Sequence, residues 1–371
     1  QFSGLYQFET GPLDHGLEFG ARWHKDEIRR FQRDDEITSN GTGPNGFFIS
    51  STGAPGSGGN RTQEAEALSL WVRDEISYGN LTVTPGFRYE YVDLFNVDFQ
   101  KDATNTPTAI RSGDIDYFAP GVGFTYDIND ANRVFGGVHQ GFALPGPRSI
   151  LKDGVDKEES LGYELGIRHR QGGLNAELVG FLSDFENLIA TDAGLSATQN
   201  RNVGEAEVWG FESAISYDPG VERGLGFGLP MYVSATWTSA ELKTAVVSGG
   251  GENIFGGGVD GSEIPYVPEW KLAAGIGVIF EKWGANVDVT YTSSTFGTAQ
   301  NFGAPVNNQK EGKIDSAFLV DVSGHYQLNE NLKLIGGIQN VFDEEILTSR
   351  IPLGARAGAP RTAFGGIELT F

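Results

Sequence analysis

The chain has 371 residues and a formal net charge of −22, with 53 Gly, 25 Phe, 12 Tyr and 6 Trp but one Met and no Cys. No run of 18 or more apolar residues occurs, which excludes a helical membrane protein; the absence of Cys excludes disulfides, zinc–thiolate sites and cysteine nucleophiles. The acidic balance argues against a nucleic-acid partner, whose phosphates need clustered Lys and Arg. Gln1 opens on no secretory leader, so a leader has been cleaved or the true start lies elsewhere.

About fifteen extended segments follow one another: 1–10, 16–30, 63–76, 80–94, 116–127, 132–142, 158–170, 174–186, 205–217, 228–244, 268–281, 284–296, 315–327, 331–342 and 361–371. Their connections alternate in length. Short ones lie at 11–16, 77–80, 127–133, 170–173, 218–228, 281–284 and 328–331, and long ones at 31–62, 95–115, 143–157, 187–204, 245–267, 297–314 and 343–360. Short turns on one side and long loops on the other predict an all-β, transmembrane antiparallel β-barrel over residues 1–371, placed in the outer membrane of a Gram-negative bacterium.

The strand interiors agree. Leu81, Val83, Pro85, Phe87, Tyr89 and Tyr91 share one face, opposite Thr82, Thr84, Gly86, Arg88 and Glu90. Ala285, Val287, Val289 and Tyr291 likewise oppose Asn286, Asp288, Thr290 and Thr292. An apolar face with aromatics near its ends and a charged face behind it fit lipid outside and water or protein inside. The last stretch, Arg361 to Phe371, keeps the same two-residue period and suits a sheet that must be sealed. Single-chain bacterial barrels have even strand numbers, so an odd count of fifteen predicts the carboxy-terminal portion of a larger barrel. In a barrel of 22 strands, about seven would lie upstream.

The segments 132–147 (NRVFGGVHQGFALPGP), 161–169 (LGYELGIRH), 208–213 (VWGFES), 264–272 (IPYVPEWKL), 338–346 (IQNVFDEEI) and 361–371 together resemble the barrel of TonB-dependent outer-membrane receptors. Within that superfamily the chain is most similar to the ferric citrate receptor branch. The resemblance implies a 22-stranded barrel filled by an amino-terminal plug, with a TonB box coupling it to the TonB–ExbB–ExbD system; neither plug nor TonB box occurs in these 371 residues. It further implies uptake of a ferric chelate such as iron citrate or a siderophore, without a catalytic step and without a cofactor beyond the iron carried in that chelate. Other cargoes of the superfamily are cobalamin, zinc and saccharides. A passive porin-like channel is the alternative outside it, and docking of a surface protein on the long loops is a third role. Outer-membrane lipid and lipopolysaccharide are the surroundings it implies.

Residues able to carry chemistry are few. His15, His24, His139, His169 and His325 sit in no nucleophile or metal motif, and His24, His139 and His325 are expected to face the lumen. The Gly-rich runs 41–46, 53–60 and 249–261 lack the Lys and Ser/Thr of a phosphate loop and read as loop, DINDAN (127–132) reads as a turn, and Asp34, Asp35 and Glu36 as a solvated charge run. Arg88, Glu90, Arg133, Glu164, Arg168 and Asp288 are expected in the lumen, bonded to a plug or lining a pore. An anionic chelate needs local cations against the field of an acidic chain, and guanidinium bonds two carboxylate oxygens at once. The loop arginines available are Arg61, Arg111, Arg148, Arg201, Arg350 and Arg356. Arg148 lies beside Lys152, and Arg350 and Arg356 lie in a last loop whose second half is basic; these three are favoured as ligand contacts, followed by Arg201 and Arg111.

Overall fold

A computed structural model describes residues 1–39, 47–191, 200–202, 204–246, 254–305, 310–351 and 354–370. The run 41–46, residues 249–253 of the run 249–261 and Phe371 lie outside the described residues. In chain order the strands are β1 (Phe2–Thr10), β2 (Leu13–Gln32), β3 (Glu36–Ser39), β4 (Phe47–Ser51), β5 (Gly59–Tyr78), β6 (Leu81–Phe99), β7 (Pro107–Asn129) and β8 (Asn132–Ala143). There follow β9 (Glu158–Gln171), β10 (Leu174–Glu186), β11 (Ile189–Thr191), β12 (Asn200–Asn202), β13 (Ala206–Tyr217), β14 (Met231–Leu242), β15 (Trp270–Ile279) and β16 (Trp283–Thr292). The last are β17 (Thr295–Phe296), β18 (Lys313–Ile314), β19 (Ala317–Asn329), β20 (Leu332–Gln339), β21 (Leu347–Ser349), β22 (Arg356–Ala357) and β23 (Thr362–Leu369).

Fifteen of these form one antiparallel meander in the order β1-β2-β5-β6-β7-β8-β9-β10-β13-β14-β15-β16-β19-β20-β23. Each strand pairs with its predecessor and successor in the wall, and β1 and β23 are the two edges. The other eight pair off as small hairpins inserted in long loops, at β3–β4, β11–β12, β17–β18 and β21–β22. Two-residue turns at 11–12, 79–80, 130–131, 172–173 and 330–331 join the strands at the other end. Gly172 and Gly173 there have φ of +57° and +80°, the left-handed pair that a tight hairpin demands. The connection at 218–230 is longer and holds α1 (Pro219–Glu222).

Apolar side chains point outward along the wall: Trp23, Leu68, Leu70, Phe87, Phe118, Leu165, Phe211 and Ile276 are all exposed. So large an apolar surface is untenable in water and is what a hydrocarbon solvent selects. The buried core is correspondingly small. Its clusters among the described residues are Ala67, Val92 and Leu94 under one loop, and Ala206, Leu242, Val246 and Ala299 where others meet.

Several strands outrun the sequence expectation on the loop side. β2, β5, β6 and β7 are 20, 20, 19 and 23 residues long, about twice the 9–11 that a tilted strand needs to cross a bilayer. Outside the membrane both faces meet water, so Asp26, Glu27 and Arg29 blur the two-residue contrast while the ladder continues through Glu27 opposite Glu64 and Arg29 opposite Thr62. The loop expected over 95–115 therefore shrinks to 100–106.

Candidate functional site

The overlong strands carry the site. Arg30 of β2 stands directly opposite Arg61 of β5, and Arg61 stands opposite Asp98 of β6. Strand parity puts all three on the inner face, the one shared by Ser69, Trp71, Arg88 and Glu90. Two guanidiniums facing each other across a ladder repel, a cost that a sheet accepts only for something else.

The loop at 144–157 folds back over this inner face. Its one turn of π-helix, Ser149–Asp153, ends on Gly154 at φ +70°, where a side chain would be strained. Leu144, Ile150 and Leu151 pack against Ala67, Val92 and Leu94 of the wall, as Ile115 of β7 does. Gly113 permits the approach, since a Cβ there would come within 2.8 Å of Leu151 Cδ2. Docked in this way, the loop delivers Arg148, whose Nε donates to Asp98 Oδ1 at 3.3 Å, while Arg111 Nη1 of β7 donates to Asp98 Oδ2 at 2.7 Å. The result is a cavity of about 920 Å³ lined by Arg30, Arg61, Gln63, Asp98, Lys101 and Arg148, among others.

Its lining carries four cationic side chains, Arg30, Arg61, Lys101 and Arg148, against the two carboxylates of Asp98 and Asp153. Burial, then the neighbouring charges of Arg30 and Arg148, push the Arg61 guanidinium below its ordinary value, with Asp98 opposing. Burial pushes the Asp98 carboxyl up, but its bonds and charge contacts with Arg111 and Arg148 outweigh that and hold it below the usual carboxylate range. Among the described residues neither Arg30 nor Arg61 is in an ion pair, and their Nε groups donate to Gln32 Oε1 at 2.5 Å and Gln63 Oε1 at 3.0 Å.

Of the arginines singled out in the sequence, the fold brings together Arg61, Arg111 and Arg148. Arg61 and Arg111 are strand residues rather than loop residues. Arg201 in β12 and Arg356 in β22 are exposed and do not line this cavity. Arg350 departs furthest from expectation: it is 7 % exposed, its Nε and Nη2 donate to the Lys313 carbonyl at 2.9 and 2.8 Å, and its amide donates to Tyr266 Oη at 3.3 Å. It thereby joins three loops. Arg30, Lys101 and Asp98 escaped sequence reasoning; the signal was continuation of the two-residue period through Arg30, Ile28 and Asp26 beyond the apolar stretch.

Below the cavity, Trp71, Arg88, Glu90, His139 and Glu164 line a second inner-wall pocket of about 680 Å³. There Ser69 Oγ donates to Glu90 Oε2 at 2.5 Å, and Arg88 pairs with Glu90. Arg133 pairs with Asp127, Arg168 with Glu177, and Tyr232 Oη donates to Asp288 Oδ1 at 2.8 Å.

Residues 1–341 match the family model described as TonB dependent receptor-like, beta-barrel. The ferric enterobactin receptor PirA of Pseudomonas aeruginosa is 24% identical over 365 residues, covering 89% of this chain and 43% of the relative. The ferrienterobactin receptor of Escherichia coli is 23% identical, covering 90% and 44%. Among solved structures, unliganded ferric citrate transporter FecA superposes with a TM-score of 0.80 at 21% identity, over 100% of this chain and 53% of that one. The siderophore receptor PiuA of Acinetobacter baumannii gives 0.75 at 16%, over 98% and 54%. The chain thus spans less than half the length of the curated relatives and about half that of the solved chains.

Proposed function

The chain belongs to the TonB-dependent receptor family, and from that premise we propose that it forms part of the wall of an outer-membrane transporter taking up an anionic ferric chelate of the iron citrate or siderophore kind. The family is one of receptors and transporters rather than enzymes, and its place is the Gram-negative outer membrane. One observation carries the choice of cargo class: the inner-wall cavity at the loop end, where Arg30, Arg61 and Arg148 converge with Lys101. Planar guanidiniums suit carboxylate or catecholate oxygens that already hold iron. On this reading the loops capture the chelate, the arginine pocket orients it, and energy for passage enters through TonB, ExbB and ExbD on a plug segment. The iron is cargo within the chelate and no other cofactor is needed.

Equilibrium binding of ferric citrate to the receptor purified from outer membranes tests this reading, with cobalamin and a neutral saccharide as controls. Saturable binding of the ferric chelate that weakens with salt is expected. Binding of cobalamin or saccharide alone, or salt-dependent conductance without saturable binding, would replace it with another cargo or a passive channel.

A further inference from the structure

The cavity contains its own carboxylate. Asp98 is held by Arg111 at 2.7 Å and Arg148 at 3.3 Å, faces Arg61 across the ladder, and lines the same space as Arg30 and Lys101. A carboxylate gripped by two guanidiniums on the inner wall occupies the place in which an oxygen of an anionic ligand would sit. Neither partner is sealed away: the side chains of Asp98 and Arg148 are 20% and 24% exposed, so a ligand can reach Arg148 without the wall opening. Arg148 also rides on a loop seated by three apolar side chains rather than on the ladder, and can turn from one carboxylate to another.

Building on the reading of this pocket as an anion site, we infer that Asp98 is a built-in counter-ion that sets the charge of the chelate accepted. It engages Arg111 and Arg148 while the pocket is empty, leaves Arg30, Arg61 and Lys101 to meet the incoming anion, and gives up Arg148 to it. Four cationic side chains line the cavity against the carboxylates of Asp98 and Asp153, a surplus of two positive charges. A chelate with about two net negative charges neutralises that surplus; a neutral chelate gains nothing from it, and a far more negative one is repelled once the surplus is spent. A purely structural Asp98, tying down the loop at 144–157, has the opposite consequence, since its loss would then disorder Arg148 and weaken binding.

The test compares ferric citrate binding by the receptor purified from outer membranes in wild type, Asp98→Asn, Arg61→Gln and Arg148→Gln, each at two salt concentrations. Asp98→Asn should bind about tenfold tighter and lose affinity more steeply with salt, because one compensating charge has gone while the amide keeps the shape. Arg148→Gln should cost less than Arg61→Gln, because Arg148 must first leave Asp98; this comparison stands even where Asp98→Asn fails to assemble. Equal or weaker binding by Asp98→Asn beside a clear loss in Arg61→Gln overturns the counter-ion role and leaves the anion pocket intact, as does a loss in Arg148→Gln matching that in Arg61→Gln. Arg61→Gln binding as wild type does overturns both the pocket and the role of Asp98.

Discussion

Arg30 and Arg61 face each other on the inner wall with no carboxylate of their own within ion-pair reach among the described residues, and this repulsion gives each a definite mutational signature. Replacing Arg61 by Gln should lower ferric citrate affinity by at least tenfold, since it removes a cation from a partly desolvated pocket. Thermal stability should stay level or rise slightly, because the repulsion with Arg30 goes as well. A loss of both binding and stability in a melting assay would mark Arg61 as structural instead. Arg350 has the reverse signature. Its buried guanidinium donates twice to the Lys313 carbonyl, and hydrogen bonds from a charged group are worth about 1.5–3 kcal/mol. Arg350→Ala should therefore loosen the three loops it joins, seen as faster proteolysis within 254–267 and 310–316, while the wall keeps its heat-resistant mobility on a gel. Unchanged proteolysis would show the junction to be dispensable. Arg61 lies in the polar run GGNRTQEA and Arg350 in the more apolar ILTSRIPL, but neither local run announces which arginine the fold buries against the Lys313 carbonyl.

The element that assembles the pocket is the loop at 144–157, and its docking rests on a few apolar contacts. Leu151 packs on the cluster of Ala67, Val92 and Leu94, so Leu151→Asp places a charge among apolar side chains and should free the loop. Ferric citrate affinity should fall by an amount similar to that of Arg148→Gln, and hydrogen exchange in 144–157 should rise. Exchange that stays at the wild-type level would mean the loop is held by something other than this cluster. The link from Arg148 to Asp98 adds a pH dependence. The folded Asp98 carboxyl lies below its ordinary value, so its stabilising contribution is full above the unfolded pKa and is lost only as pH falls through the depressed folded one. Loop exchange should then be flat from about pH 7 to about pH 5 and rise only below about pH 4, where ordinary carboxylates have begun to protonate; a rise centred near pH 6 would implicate another group. The wall itself was legible in the sequence, since alternation and turn spacing placed fifteen strands that the structure pairs in the same order. The extensions of β2, β5, β6 and β7 were not, for their two faces meet the same solvent. The inward fold of 144–157 was not either, because Leu144, Ile150 and Leu151 are too short a run to announce a docking surface.

At the scale of the whole molecule, the decisive fact is that β1 and β23 are edges. Leu332 to Gln339 of β20 bonds one side of β23, and β1 has β2 on one side, so each exposes a row of backbone N–H and C=O groups on the other. In water such rows are a liability managed by charge or cover; in hydrocarbon each unsatisfied group costs several kcal/mol, and only a closed barrel spans the bilayer. The outward apolar face reaches both edges, with Phe2 and Tyr6 of β1 and Ile367 and Leu369 of β23 exposed along it. Such a wall is expected to close through further strands between β23 and β1, and the solved structures it superposes on are about twice as long as this chain. The intact mass of the receptor extracted from outer membranes should then lie well above 40.0 kDa, and peptide mapping should return sequence beyond these 371 residues with the same two-residue period of apolar and polar positions, about seven strands' worth for a 22-stranded barrel. Oxidative cross-linking of cysteines placed at Gln7 of β1 and Glu368 of β23 to such strands, and not to each other, should map the seam. A mass near 40.0 kDa with a Gln7–Glu368 cross-link would instead mean that β1 and β23 close on one another, giving a fifteen-stranded barrel.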